Sequence, residues 1–456
     1  MIKQEDAGAA LRLSAMAYAC VTAGSVAGMI LSTYAIYLAQ GGDPFLPTIS
    51  NTWDHAPGTY ISRWVLGNAC VLFYAIQIML YYTSKDTLGW RGLALGLGIG
   101  AVFCLSWVGA ICDSTNPDCR GDDRVHSIFA VTFFVLYDVM MIIVSARERS
   151  RLLAVAVASA ASTAARVAPL LVPCLATRDW YLAVFEWANV ALVCGWSVAQ
   201  VRTNCGGAGW YLGSRAGAPA NIAWGLSGAA CSKICCVLYV GTLAASAVLG
   251  LALGYLPIKR GVLFFISDMW TTPPGNWLSR WAIILGTHFG CVAHVSFYMA
   301  TPEACTLRRG GLAVAIAAMF GLSVVGVCDE SENFPLHVFG ALLYFGGYDT
   351  FILCTLLGDR LQRRPADDDR ARAWHDLRDV VGVVALVLGL WRLSAGLLRG
   401  TIFQSLPALA EWADALLIIS FMQMDALFVH PACEDVVDAV TVAPATSLGE
   451  PLLQAP

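Results

Sequence analysis

The sequence predicts an all-α polytopic membrane protein of about twelve transmembrane helices, arranged as two parallel six-helix repeats. Three observations predict it. Of 456 residues, 58% are hydrophobic and 13% charged, where a soluble domain carries about 25% charged residues. Mean hydropathy is +0.65. Two stretches also nearly superimpose: ISNTWDHAPGTYISRW at Ile49–Trp64 and ISDMWTTPPGNWLSRW at Ile266–Trp281 agree at eight of 16 positions, at an offset of 217 residues. The shared positions include Ser50/Ser267, Trp53/Trp270, Pro57/Pro274, Gly58/Gly275 and Arg63/Arg280. A match at fixed offset over so mixed a set of residue types marks a tandem duplication, so each half is expected to carry a site of similar design.

A spanning helix needs about 20 apolar residues. Such runs fall near 12–39, 63–83, 88–112, 126–145, 152–174 and 180–201 in the first half. The second half gives 229–254, 280–301, 310–328, 337–357, 379–398 and 408–430. The fifth run of each half is the weakest, because Arg166 interrupts one and Arg392 the other. The run from Leu13 to Ala39 exceeds a signal-peptide core and reads as a first spanning helix. A Gly-rich connector, about 202–228, joins the halves. The expected domains are 1–215 and 216–430, followed by a disordered cytosolic tail at 431–456, which is rich in Ala, Pro and acid.

Orientation follows from Lys and Arg in short loops. Lys85, Arg91, Arg147, Arg149, Arg151, Arg202 and Arg215 fall on one side with Arg308, Arg309, Arg360, Arg363 and Arg364 if both termini are cytosolic. An even number of spans per half makes the repeats parallel, about an axis along the membrane normal. The repeated motif then lies on the non-cytosolic side, with Pro57 and Gly58 turning the chain and the tryptophans at the interface.

Polar residues recur inside the spans. Arg63 and Arg280 open the second span of each half. There they either snorkel toward headgroups or clamp a lipid phosphate with the guanidinium fork. Span four opens VHSIFAVTFFVLYD and span ten LHVFGALLYFGGYD, which pairs His126 with His337, Tyr137 with Tyr348 and Asp138 with Asp349. The acids sit about 18 Å below their histidines at 1.5 Å per residue. An acid there faces a polar cavity or a partner, or fixes bundle packing. FEWANVALV and AEWADALLI pair Glu186 with Glu411. Arg63, His126 and Glu186 are expected in one outer-leaflet pocket, and Arg280, His337 and Glu411 in another, as candidate lipid-headgroup sites.

No Gly-rich nucleotide loop, nucleophile elbow or HExxH helix occurs, so no catalytic motif is recognisable and enzymatic activity is not expected. No cofactor is expected. His288 and His294 lack counterparts in NACVLFYAI of span two, so no metal site is expected. The net charge of −4 gives no argument for nucleic acid. Most of the sixteen cysteines read as small apolar side chains, with Cys112 and Cys119 as a candidate disulfide in a non-cytosolic loop.

These residues resemble the Frag/DRAM/Sfk family, also called the CWH-type N-terminal domain family. Pro44–Thr52 reads PFLPTISNT, similar to the first loop of DRAM proteins. Pro57, Tyr60 and Arg63 fit the Pro-x-x-Tyr-x-x-Arg pattern of the GPI-lipid-remodelling members. A histidine opening the fourth helix and a Glu-aromatic pair opening the sixth match His126 with Glu186-Trp187, and His337 with Glu411-Trp412. The second copy departs by reading GVLF at Gly261–Phe264. The resemblance implies an endomembrane protein (ER, Golgi or lysosome) that handles lipids, with membrane lipids as partners, including a GPI-anchor lipid. The alternative it implies is a DRAM-like lysosomal or autophagy modulator with no chemistry of its own. The repeat architecture with intramembrane acids leaves open a transporter.

Overall fold

The computed structural model describes residues 9–43, 45–114, 121–171, 179–214, 222–256, 264–300, 306–362, 369–397, 405–426 and 436–441. Two compact units emerge, most of one being Leu11–Leu212 and most of the other Leu226–Asp438.

In the first unit the helices are α1 (Ala15–Ala39), α2 (Gly58–Thr83), α3 (Leu88–Ala110), α4 (Asp123–Arg147), α5 (Leu153–Leu171) and α6 (Asp179–Asn204). Each packs on the next, and α1 also packs on α6, which closes the ring. The second unit repeats this with α7 (Gly228–Ala252), α8 (Gly275–Met299), α9 (Thr306–Val327), α10 (Phe334–Gln362), α11 (Asp369–Leu397) and α12 (Ser405–Met424), where α12 returns to α7. Among the described residues nine helices are long and apolar enough to cross a membrane. The other three are α5, α11 and α12. In α5 a shorter apolar stretch, Leu153–Ala168, ends just past Arg166. α11 opens on a charged stretch that includes Asp369, Arg372 and Arg378.

Local sequence explains the helix starts. Ser14 caps α1 by accepting from Ala17 N at 3.2 Å, and Ser227 caps α7 by accepting from Ala230 N at 3.1 Å. Asp122 accepts from Val125 N at 3.0 Å to cap α4, and Asn333 accepts from Leu336 N at 3.2 Å to cap α10. Asp and Asn suit this role because a short side-chain oxygen reaches the free amides of the first turn.

The motif loops carry a 3₁₀ turn, Ser50–Trp53 and Ser267–Trp270, then a cis bond before Pro57 and Pro274. The glycines that follow are needed for close approach. A Cβ on Gly58 would sit 2.7 Å from Thr52 O, and one on Gly275 would strike Met269 O, the same register position.

The all-helical expectation omits four six-residue strands: β1 (Ala9–Ser14), β2 (Gly209–Ser214), β3 (Ile222–Ser227) and β4 (Val436–Thr441). β1 pairs with β2, and β4 with β3. Each six-helix ring is thus preceded and followed by a strand. The expected disordered tail contains β4, and the remainder of that tail lies outside the described residues, as does the connector at 215–221.

Candidate functional site

Each unit holds an open cavity among its helices. The two are the same cavity built twice. Ile49, Trp53, Leu66, Leu105 and Val108 line the first; Ile266, Trp270, Ile283, Leu322 and Val325 line the second, each 217 residues on. After a third-to-fourth-helix loop six residues shorter in the second copy, the correspondence continues with His126 and Ala130 against His337 and Ala341. It closes with Glu186 and Val190 against Glu411 and Ala415. The walls are apolar, and the histidine and glutamate mark one polar end.

His126 is 3% exposed and His337 6%. The cap of each fourth helix lies four residues upstream and fixes where the ring projects. His126 Nδ1 meets Ile111 O at 2.5 Å, and His337 Nδ1 meets Cys328 O at 2.8 Å. Ile111 and Cys328 are again one register position, so both imidazoles tie the start of the fourth helix to the end of the third. The Glu-Trp pairs are placed just as regularly. Trp187 Nε1 donates to Pro47 O at 2.8 Å and Trp412 Nε1 to Phe264 O at 3.0 Å, pinning each motif loop over the sixth helix.

The cavity tryptophans, Trp53 and Trp270, differ from these. Among the described residues neither indole N–H has a hydrogen-bond partner, although both nitrogens are buried. A buried donor without a partner is uncommon, and a cost falls on the fold until something accepts from it.

Two predicted members sit elsewhere. Arg63 and Arg280 are each 1% exposed and line neither cavity. Each shares a helix face with a residue three positions on, Leu66 or Ile283, that packs against the third helix of its own unit at Gly109 or Gly326. Arg63 Nη2 accordingly reaches Cys112 Sγ at 3.2 Å. At the same register Arg280 Nη2 reaches Asp329 Oδ2 at 3.2 Å, and Glu332 Oε1 at 2.5 Å. Arg280 is therefore held by two acids of its own unit. Cys112 is disulfide-bonded, while Cys119 lies outside the described residues.

The arginine that does line the first cavity is Arg166 of α5. Its Nη2 lies 3.5 Å from Glu186 Oε1, and its guanidinium sits 5.6 Å from the Phe134 ring centroid. Among the described residues Arg166 Nη1 and Glu186 Oε2 have no hydrogen-bond partner. In the sequence Arg166 registers only as an interruption of span five. The side chain of Arg392, at the matching place, lies outside the described residues.

Deeper polar residues contact one another, although Asp138 Oδ1, Asn189 Oδ1 and Asp349 Oδ1 accept no hydrogen bond among the described residues. Tyr137 is fully buried; its hydroxyl meets Ser197 Oγ at 2.8 Å and accepts from Gln77 Nε2 at 3.2 Å. Tyr348 OH meets His294 Nε2 at 2.6 Å. His294 stands 217 residues after Gln77, so it does have a counterpart, one residue beyond the stretch compared in the sequence. Asp138 accepts from Thr163 Oγ1 at 2.5 Å, and Asn189 Nδ2 donates to that same threonine at 3.0 Å. Asp349 packs on Gly389, the register position of Thr163. Neither acid lines its cavity. Among the described residues no group of three or more His, Cys, Asp or Glu is placed to hold a metal ion.

A family model for the Frag1/DRAM/Sfk1/Cwh43P N-terminal domain matches residues 15–198 and again 231–427. The chain belongs to this family. It is a multi-pass membrane protein carrying two tandem Frag1/DRAM/Sfk1/Cwh43P domains, and each match encloses one complete cavity. No curated protein and no solved structure matches the chain.

Outside the spans, Asp54 of the motif loop in the first Frag1-type domain meets Asp113, just past the end of α3. Burial and a hydrogen bond to Asp113 push Asp54 up to about 9. Burial acts on Asp113 too, but the Asp54 hydrogen bond and the charge of His126 outweigh it and lower that carboxyl. The two shifts run in opposite directions, as expected for two carboxyls placed side by side. In the second domain Ser267 Oγ donates to Glu330 Oε2 at 3.0 Å, at the register of Ser50 and Asp113. Burial, with Asp268 and Asp329 nearby, raises Glu330.

Proposed function

We propose that the chain handles membrane lipids in an endomembrane compartment, each six-helix repeat holding one lipid in its own cavity. In this reading all twelve helices span the bilayer as two parallel repeats, with both termini cytosolic and the motif loops on the non-cytosolic side. The apolar walls take acyl chain. The polar end, with Trp53, His126 and Glu186 or Trp270, His337 and Glu411, takes the head. The cellular role is to assist GPI-anchor lipid remodelling or to set lipid distribution.

The observation that carries this is the duplicated cavity. Its wall recurs position by position, with an indole N–H that has no partner among the described residues at the same place in both copies. Ligand sites of this type are apolar clefts with a few convergent polar groups. The transport reading draws less support, since Asp138 is tied to Thr163 where α4 packs on α5. A lysosomal or autophagic role is the second reading, favoured by the PFLPTISNT loop.

The test is the lipid profile of GPI-anchored proteins in cells lacking the chain, measured with autophagic flux and leaflet lipid distribution. Wild-type chain restores an altered lipid profile, and a chain with both cavities filled (Ala130→Phe with Ala341→Phe) does not. A change confined to autophagic flux selects the second reading. Unaltered profiles and flux in the null cells would remove both.

A further inference from the structure

Resting on the lipid reading of the first cavity, we propose that its ligand is a membrane lipid whose head carries both a phosphate and a primary ammonium. Three groups on that wall have unused hydrogen-bonding capacity among the described residues: the donors Trp53 Nε1 and Arg166 Nη1, and the acceptor Glu186 Oε2. Glu186 is 6% exposed. Its contact with Arg166, at 3.5 Å, is an ion pair without a direct hydrogen bond. The Glu186 charge is therefore buried and only partly compensated, with Arg166 partly buried beside it, which is costly.

The sign pattern selects the head. An anionic head without a cation satisfies the two donors but sets a like charge beside Glu186. A cationic head alone does the same to Arg166. A phosphate joined to an ammonium by a short spacer answers all three groups, with the phosphate on Arg166 and Trp53 and the ammonium on Glu186. Hydrogen bonds between ionised partners are also about twice as strong as neutral ones. The ammonium must carry hydrogens, because a quaternary amine has none to donate to Glu186 Oε2. The apolar remainder of the wall requires the acyl part, so the ligand is a lipid and not a free amino phosphate.

The full chain carrying Ala341→Phe, which fills the second cavity, is purified in detergent and challenged with four defined lipids of equal acyl composition, and retention is read by native mass spectrometry. The four are phosphatidylethanolamine, phosphatidylcholine, phosphatidylglycerol and diacylglycerol. Soluble phosphoethanolamine is added as a competitor. Phosphatidylethanolamine is expected to be retained at least about tenfold over the others, with no displacement by phosphoethanolamine. Glu186→Gln, which keeps shape, should abolish the preference for ethanolamine over glycerol while melting temperature stays within a few degrees. Arg166→Gln should lower retention of both phospholipids toward that of diacylglycerol. Equal retention of all four lipids overturns the headgroup assignment and leaves the lipid reading standing. Preference for diacylglycerol, or a preference untouched by Glu186→Gln, also overturns it. Retention of no lipid defeats the lipid reading itself.

Discussion

Arg63 and Arg280 occupy one register position yet are held differently. Arg280 lies against Asp329 and Glu332, whereas Arg63 lies against the disulfide-bonded Cys112. Removing one partner of a buried ion pair leaves uncompensated charge and costs about 3–5 kcal/mol. Arg280→Met is therefore expected to destabilise the protein far more than Arg280→Met combined with Asp329→Asn and Glu332→Gln, measured by thermal unfolding in detergent. The Asp54–Asp113 pair makes a pH prediction. Asp54 is raised from 3.8 to about 9, so the folded state binds this proton more tightly than the unfolded one. The stabilisation is fully present below the ordinary carboxylate range and is lost as pH rises toward about 9. Asp113 is shifted downward, so its own contribution changes only below that range. Melting temperature should fall from about pH 5 to about pH 8 by this group's contribution, and Asp54→Asn should flatten the slope and raise stability at the alkaline end. A slope unchanged in Asp54→Asn would rule out the raised Asp54 carboxyl.

At the scale of elements, the motif loop is positioned by a tryptophan on a distant helix. Trp187 and Trp412 donate to the backbone of their own loops at Pro47 and Phe264. One such bond contributes about 1 kcal/mol. Trp187→Phe should speed amide exchange across the loop by about fivefold while the α2 core stays protected; uniform exchange across the whole first unit would show a global effect instead. Helix positions were legible in the sequence because apolar length and loop charge are local properties. The strands were not. Six residues such as AALRLS give too little alternation to read, and β4 lies in the Ala-, Pro- and acid-rich stretch after the last helix. The site was half legible. His126 and Glu186 stand at helix starts, where depth is simple arithmetic. The sequence offers Arg63 for the pocket and shows Arg166 only as an interruption of span five, because lining a cavity depends on which neighbour each helix face meets. Only packing shows that Arg63 faces α3 and that Arg166 reaches Glu186.

Over the whole chain, the duplication preserves a shape and varies what surrounds it. The cavity wall recurs, while the polar groups beneath it change from Gln77 with Tyr137 to His294 with Tyr348. The offset drifts between copies because loops differ in length, and the register must be followed helix by helix to see that both histidines and both glutamates fall at the same cavity end. The central claim is that each repeat holds one lipid in its own cavity. It is tested most directly by counting lipids per chain with native mass spectrometry after mild detergent extraction. Ala130 and Ala341 line the two walls, and phenylalanine at either fills its cavity. The account predicts two retained lipids for the wild type, one for Ala130→Phe or Ala341→Phe alone, and none for the pair. An undiminished count in the folded double variant would contradict it.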